Sequence, residues 1–208
     1  HMKNRLLIFA AIILLSISLQ AQESKEQKYN GKIGLTFSSF GENDFIRFKN
    51  VEGSASYLGE SFYTIGINYI KPLNNWLEIE SGIEYSKHHI TVEPNLPPDM
   101  DNSPYKADFS ILNIPISVRA NFLKYFFVNG GLMLDLELGN SNPADNQTGI
   151  GALLGVAAKY DFNFGASVFI NPYLKAHSLL PFSGEKYHQR LMEDGIRIGI
   201  TFNLDKVY

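Results

Sequence analysis

Beyond a polar stretch from Glu23 to Asn30, apolar and polar residues alternate along most of the chain. A period of two belongs to extended strands, whose successive side chains point to opposite faces. Eight such runs can be drawn. Lys32 to Phe40 sets Ile33, Leu35 and Phe37 against Gly34, Thr36 and Ser38. Phe62 to Ile70 alternates Tyr63, Ile65, Ile67 and Tyr69 with Thr64, Gly66 and Asn68. Trp76 to Ser86 gathers Leu77, Ile79, Ile83 and Tyr85 on one face and Glu78, Glu80 and Glu84 on the other. Ser110 to Phe122 opposes Leu112, Ile114, Ile116 and Val118 to Asn113, Ser117, Arg119 and Asn121, with Pro115 on the polar side. Phe127 to Leu138 sets Val128, Leu132, Leu134, Leu136 and Leu138 against Asn129, Asp135 and Glu137. The remaining runs are Ile150 to Tyr160, Ser167 to Ala176 and Ile196 to Leu204, with Lys159, Lys175 and Arg197 on their polar faces.

The charges decide what the apolar faces meet. Glu78, Glu80, Glu84, Arg119, Asp135, Glu137, Lys159, Lys175 and Arg197 all lie on the polar parity of their strands. A charge facing lipid at the bilayer midplane costs about 2–4 kcal/mol, so this segregation suits a hydrocarbon environment. A soluble sandwich segregates charge as well. The connections separate the two. They alternate long and short: Gly41 to Ser61, Lys71 to Asn75, Lys87 to Phe109, Leu123 to Phe126, Gly139 to Gly149, Asp161 to Gly165 and His177 to Gly195. Short turns at one end, longer loops at the other and an even strand count predict an all-β, eight-stranded antiparallel up-and-down transmembrane barrel; Greek-key sandwiches are not wired this way. Tyr63, Tyr69, Tyr85, Phe122, Tyr160 and Phe202 sit near strand ends on the lipid parity, as interfacial girdles require.

Composition agrees without deciding. The chain has 208 residues, a net charge of -3, 17 glycines, 13% aromatic residues and no cysteine. That excludes disulfides and thiolate-ligated metal, and no basic surplus advertises nucleic acid. A mean hydropathy of -0.09 suits a membrane barrel as well as a soluble protein, because lipid-facing and lumen-facing residues average out. His1 precedes the natural initiator Met2 and is set aside as an added residue. Lys3 and Arg5 followed by the apolar Leu6 to Leu19 and the small Ala21 read as an export signal cleaved near Ala21, so residues 1–21 are expected to be removed. Residues 22–31 then form a periplasmic linker and 32–208 the barrel, placed in the outer membrane of a Gram-negative cell.

The string Ile111-Leu112-Asn113-Ile114-Pro115-Ile116-Ser117-Val118-Arg119, followed by Tyr125-Phe126-Phe127-Val128-Asn129-Gly130-Gly131, resembles the outer-membrane β-barrel domain family of the Bacteroidetes, which includes PorT-like proteins and small OmpX-like barrels. Members commonly carry Leu-Glu-Ile-Pro-Leu with a basic residue soon after, then an aromatic strand start leading into a Gly-rich strand. The Ile-Pro pair and Arg119 match, while Asn113 stands where Glu is usual. The resemblance implies an association with secretion-system assembly. Arg197, Gly199, Phe202 and Leu204 resemble the last-strand signal read by barrel-insertion machinery, although Asp205 to Tyr208 follow it and an ordinary amphipathic last strand fits equally.

An eight-stranded lumen is filled by side chains. The nine inward charges are therefore expected to pair into a structural network, with Arg119 facing Glu78 or Glu80 and flanked by Asp135 and Glu137. Adjacent His88 and His89 point to opposite faces and do not chelate together. His177 and His188, with Asp99 or Asp101, could frame a loop metal site, but solvated loop residues are expected instead. Ser54 lacks a nucleophile-elbow context, no phosphate loop is present, and no cofactor is expected. Phe45, Ile46, Phe48, Val51, Tyr57 and Leu58 make the first long loop unusually apolar, and prolines from Pro94 to Pro104 mark the second. These residues suit packing over the mouth or a partner surface. The expected function is a non-enzymatic outer-membrane barrel, structural or accessory, docking a secretion or surface complex through its extracellular loops. The alternative is a module that binds or transports a small hydrophobic ligand at the loop-lined mouth.

Overall fold

The computed structural model describes residues 31–46, 56–97, 99–139, 142–183 and 188–204. The leader with its cut near Ala21, the linker to Asn30, Phe48, Val51, Ser54 and the tail from Asp205 lie outside the described residues. The strands are β1 (Lys32–Ser39), β2 (Asn43–Ile46), β3 (Ser56–Pro72), β4 (Leu77–Glu93), β5 (Tyr105–Phe122), β6 (Phe126–Leu138), β7 (Gly149–Asp161), β8 (Ala166–Pro181) and β9 (Arg190–Asn203). Each pairs antiparallel with the next around the sheet, and β1 pairs with β9 from Lys32↔Asn203 to Ser39↔Ile196, closing it. The barrel has eight staves although the strands number nine. β2 continues the line of β1, pairing Asn43 with Glu193 and Ile46 with Arg190 on the same β9. Between β1 and β2 the chain kinks at Phe40, whose φ is 61°. Gly41 follows so close to the Asp194 carbonyl that a Cβ would overlap its oxygen.

Tight turns join β3 to β4, β5 to β6 and β7 to β8, as the sequence predicts. Three of the expected long connections are shorter than the sequence suggests, the first because β2 and the start of β3 at Ser56 fall within it. β4 runs on to Glu93 and β5 begins at Tyr105, leaving 94–104 as loop; β8 runs to Pro181 and β9 begins at Arg190. The reason is a change of polarity along the strands. Up to Ser86 the inward residues of β4 are polar, but beyond it Ile90 and Val92 point inward and are buried. Outside, at the same height, stand Lys87 with Asp108 at 3.4 Å, His89 with Asp108 at 2.6 Å and Lys106 with Glu60 at 2.9 Å. A 17-residue strand such as β4, rising about 3.3 Å per residue and tilted by about 40°, climbs roughly 40 Å, well past an apolar band of about 25 Å. The inversion marks where the barrel leaves that band.

The outside of the band is apolar all round. Leu35, Ile67, Ile83, Ile116, Leu132, Leu154 and Leu174 are each more than half exposed. Tyr160, Phe162 and Phe164 cluster at the short-turn end, with centroids 4.9 and 5.2 Å apart. Inside, Phe127, Ala157 and Phe169 pack together towards that end. The loop end is filled by Ile90, Val92, Phe109, Ile111 and Leu191, with Phe45, Tyr57 and Ala107 packed against them. Of the apolar first-loop residues, Phe45 and Tyr57 thus pack inward at the mouth, whereas Leu58 stands exposed.

Candidate functional site

Between the two apolar plugs the lumen holds charge, supplied by strands that each place every second residue inward. The chemistry is arranged as a ladder of alternating sign. Lys32 Nζ lies 3.3 Å from Glu78 Oε1 near the short-turn end. Arg119 bridges upward, its Nε 3.6 Å from Glu78 and its Nη1 3.5 Å from Glu80. Arg197 takes the next step, with Nη1 3.1 Å from Glu80 and 3.8 Å from Glu84. Lys175 then joins Glu84 at 2.7 Å to Glu193 at 3.7 Å. Leaving one such group unpaired costs about 3–5 kcal/mol, so a chain of shared partners keeps every charge compensated. The cations also rest on aromatic faces: the Arg119 guanidinium lies 3.8 Å from the Phe127 centroid, and both arginines lie 5.3 Å from Phe169.

A second band of hydrogen bonds crosses the strands higher up. Thr64 and Ser86 hydroxyls meet at 2.9 Å, Ser86 donates to Asn113 Oδ1 at 2.9 Å, and Asn113 Nδ2 donates to Asp135 at 2.6 Å. Asp135 Oδ2 accepts the Ser178 backbone N–H at 3.1 Å. Asn113, the residue that departs from the resembled motif, is thus the donor that a second carboxylate could not be when ionised.

The nine sequence-predicted charges do not all meet. Glu78, Glu80, Glu84, Arg119, Lys175 and Arg197 form the ladder. Lys159 stands apart near the short-turn end, 3.3 Å from Asp161. Glu137 faces the loop after β6, accepting from Asn142 and the Gln147 backbone at 2.8 Å each. Asp135 and Glu137 therefore do not flank Arg119, which sits instead six residues further along β5 than the partner of Asp135, opposite Asn129. In the last strand Arg197 points into the lumen, Gly199 lies beneath the Phe169 ring, and Phe202 and Leu204 face outward and exposed.

Glu193, His88 and His177 are the residues that sequence reasoning missed. His177 is no loop residue: it lies on β8, fully buried, and its Nδ1 faces Asp135 Oδ1 at 3.3 Å. His188 is also buried, while Asp99 and Asp101 are exposed on the loop after β4, so His177 and His188 do not come together with either aspartate. His88 and His89 do point to opposite faces, the first buried inside and the second bound to Asp108 outside. The signal was available in the parity. Stepping by two from Glu84 reaches His88, from Lys175 reaches His177, and from Arg197 back through Gly195 reaches Glu193.

No family model matches the chain, and no curated protein matches it in sequence. Nothing in these comparisons supports a PorT-like or Bacteroidetes assignment in particular. Among solved structures, the translocator domain of the autotransporter NalP from Neisseria meningitidis is similar at a TM-score of 0.38 and 12% identity, over 97% of this chain and 98% of that one. The crystal structure of the outer membrane protein OprG from Pseudomonas aeruginosa is similar at a TM-score of 0.55 and 11% identity, over 86% of this chain and 97% of that one. At such identity the likeness to OprG speaks for the fold alone, and the fold is that of an outer-membrane β-barrel: all-β, antiparallel, up-and-down and closed by eight staves.

Proposed function

We propose that this chain is a non-enzymatic protein of the outer membrane that passes no solute through its lumen and serves as a scaffold, docking a secretion or surface complex with its loop end. The observation that carries the reading is the filled lumen. A charge ladder from Lys32 to Glu193 is capped by Ile90, Val92, Phe109, Ile111 and Leu191, so that paired charges and then apolar side chains succeed one another along the lumen. What remains for function is the rim. Met100, Tyr105, Leu180 and Phe182 are exposed there, above the charged collar of Lys87, His89 and Asp108, where lipid does not account for them. The Ile111 to Arg119 resemblance to PorT-like barrels points to the same kind of partner.

The rival reading, a small hydrophobic ligand entering at the mouth, needs room where the Phe45 ring packs, tilted, 5.7 Å from Tyr57 and 5.9 Å from Phe109. Planar-bilayer recording of the purified barrel tests the proposal. Silent membranes are expected, together with loss of co-purifying protein when Met100 and Phe182 are both changed to Ser. A steady single-channel conductance would refute it.

A further inference from the structure

Where the ladder ends, three side chains from three strands converge. Nε2 of His88 on β4 and Nε2 of His177 on β8 each lie 3.6 Å from the same atom, Oε2 of Glu193 on β9. All three residues are at most 1% exposed, and none of these three atoms makes a hydrogen bond. One ligand atom from each falls within 4.8 Å of the others. We propose that this triad is a binding site for a single divalent transition-metal ion, Zn2+ or a close analogue, sealed inside the barrel just below its loop-end plug.

The chemistry of the surroundings fits an ion in several independent ways. Two imidazoles and one carboxylate are the donor set of three-ligand zinc sites, which leave a fourth position for water. Metal–ligand bonds of about 2.0–2.1 Å give a tetrahedral edge of about 3.3 Å, so the observed 3.6 Å separations ask only a slight contraction. The Glu193 carboxylate is divided between tasks. Oε1 accepts the Tyr173 hydroxyl at 2.6 Å and faces Lys175 at 3.7 Å, which leaves Oε2 for the two rings.

The far side of His177 faces the kind of group that metal ligands turn to. His177 Nδ1 faces the Asp135 carboxylate at 3.3 Å, and Asp135 is itself fixed by Asn113 and the Ser178 N–H. A carboxylate behind a histidine sets its tautomer and raises its basicity. His88 Nδ1 lies 3.4 Å from Asn43 Nδ2, so ligation through Nε2 requires the Asn43 amide turned to offer its Oδ1, which makes no hydrogen bond as it stands, to an Nδ1 proton; the ring itself stacks between Phe62 and Phe109 at 5.8 and 5.1 Å. Charge balance asks for one positive charge at this point, which a divalent ion carrying hydroxide in its fourth position supplies. The ladder with its terminus contains five carboxylates, Glu78, Glu80, Glu84, Glu193 and Asp135, against four fixed cations, Lys32, Arg119, Arg197 and Lys175. The odd negative charge falls beside the two histidines. A proton on His177 would also neutralise it, and the experiment separates the two occupants.

The full chain, refolded in detergent and stripped with a chelator, is incubated with Zn2+, desalted and assayed for bound metal by mass spectrometry. Co2+ loading is followed in parallel by its visible absorption. One ion per barrel is expected, with the intense bands of four-coordinate Co2+. His88→Phe keeps the stack on Phe62 and Phe109, and His177→Gln keeps a polar group beside Asp135; each should weaken binding more than about 100-fold, and Asp135→Asn about 10–100-fold. Retention of the heat-modifiable folded band on a gel shows that a variant still closes its barrel. Failure of the folded wild-type chain to retain Zn2+ at micromolar concentration would assign the triad to a proton and overturn the proposal. Equal retention by the folded His88→Phe and His177→Gln variants would place the metal elsewhere and overturn it too.

Discussion

At the scale of single residues, Arg119 ties the lower rungs of the ladder together. Its side chain is 4% exposed, touches two carboxylates and lies on the Phe127 ring. Arg119→Leu would leave Glu78 with Lys32 and Glu80 with Arg197 and the Asn68 amide, one positive charge short in a lumen where an uncompensated charge costs about 3–5 kcal/mol. The urea midpoint of refolded protein should fall accordingly, and the folded band should convert on a gel at a lower temperature. Arg119→Lys keeps the charge but loses the planar fork and most of its stacking, and should fall between the two. A midpoint unchanged in Arg119→Leu would mean that the ladder carries no stability. The inward charges were legible in the sequence because parity alone assigns a face. Their pairing was legible on one side only: Arg119 does meet Glu78 and Glu80 across to β4, but towards β6 register and shear placed Asn129, not Asp135, opposite it.

At the scale of elements, β8 carries the irregularity that makes the upper lumen possible. Its partner β7 pairs Ile150 with Leu180 and Ala152 with Ala176, so Gly151 alone stands opposite residues 177–179. Ser178 within this bulge has a φ of 47°, and both it and His177 are buried. Bulges re-aim side chains, and here the extra residues aim an imidazole and a backbone N–H at the same Asp135 carboxylate. Gly151 is needed on the facing strand because a Cβ there would lie 2.6 Å from Asp135 Oδ2 and 2.7 Å from the Ala176 carbonyl. Gly151→Val should therefore cost about 1–3 kcal/mol through overpacking. Urea unfolding measures it, with Gly130→Val as the control, a strand glycine without positive φ whose added Cβ would come no nearer than 3.4 Å to its neighbours. A loss at Gly151 no greater than at Gly130 would show that β8 does not need this close approach. Period-two reading ended these strands early because it followed the apolar-out rule, and that rule reverses once a strand rises above lipid. Lys87, His89 and Asp108 outside, with Ile90 and Phe109 inside, are ordinary soluble-barrel alternation in the opposite phase.

For the whole molecule, the two phases define two solvents. Through the lower staves, apolar residues face out and charges face in; through the loop-end staves, charges face out and Ile90, Val92 and Leu191 face in. A barrel standing wholly in water would have no cause to reverse, whereas one half seated in hydrocarbon must. The sequence showed the lower phase plainly, through nine charges of one parity, and so showed the barrel; the upper phase read as loop. Substitutions on the outer surface test the division directly. Leu132 is 60% exposed on β6, in the middle of the apolar belt, while Leu58 is 46% exposed on β3 within the upper phase, two residues from Glu60. In lipid vesicles, Leu132→Arg should lower the unfolding free energy by about 2–4 kcal/mol and Leu58→Arg by no more than about 1 kcal/mol, the depth dependence that a bilayer imposes. In a soluble barrel both are surface positions and both changes would fall within about 0.5 kcal/mol. Equal costs at the two sites, measured by urea titration in vesicles of matched thickness, would place the membrane boundary somewhere other than the inversion at Ser86.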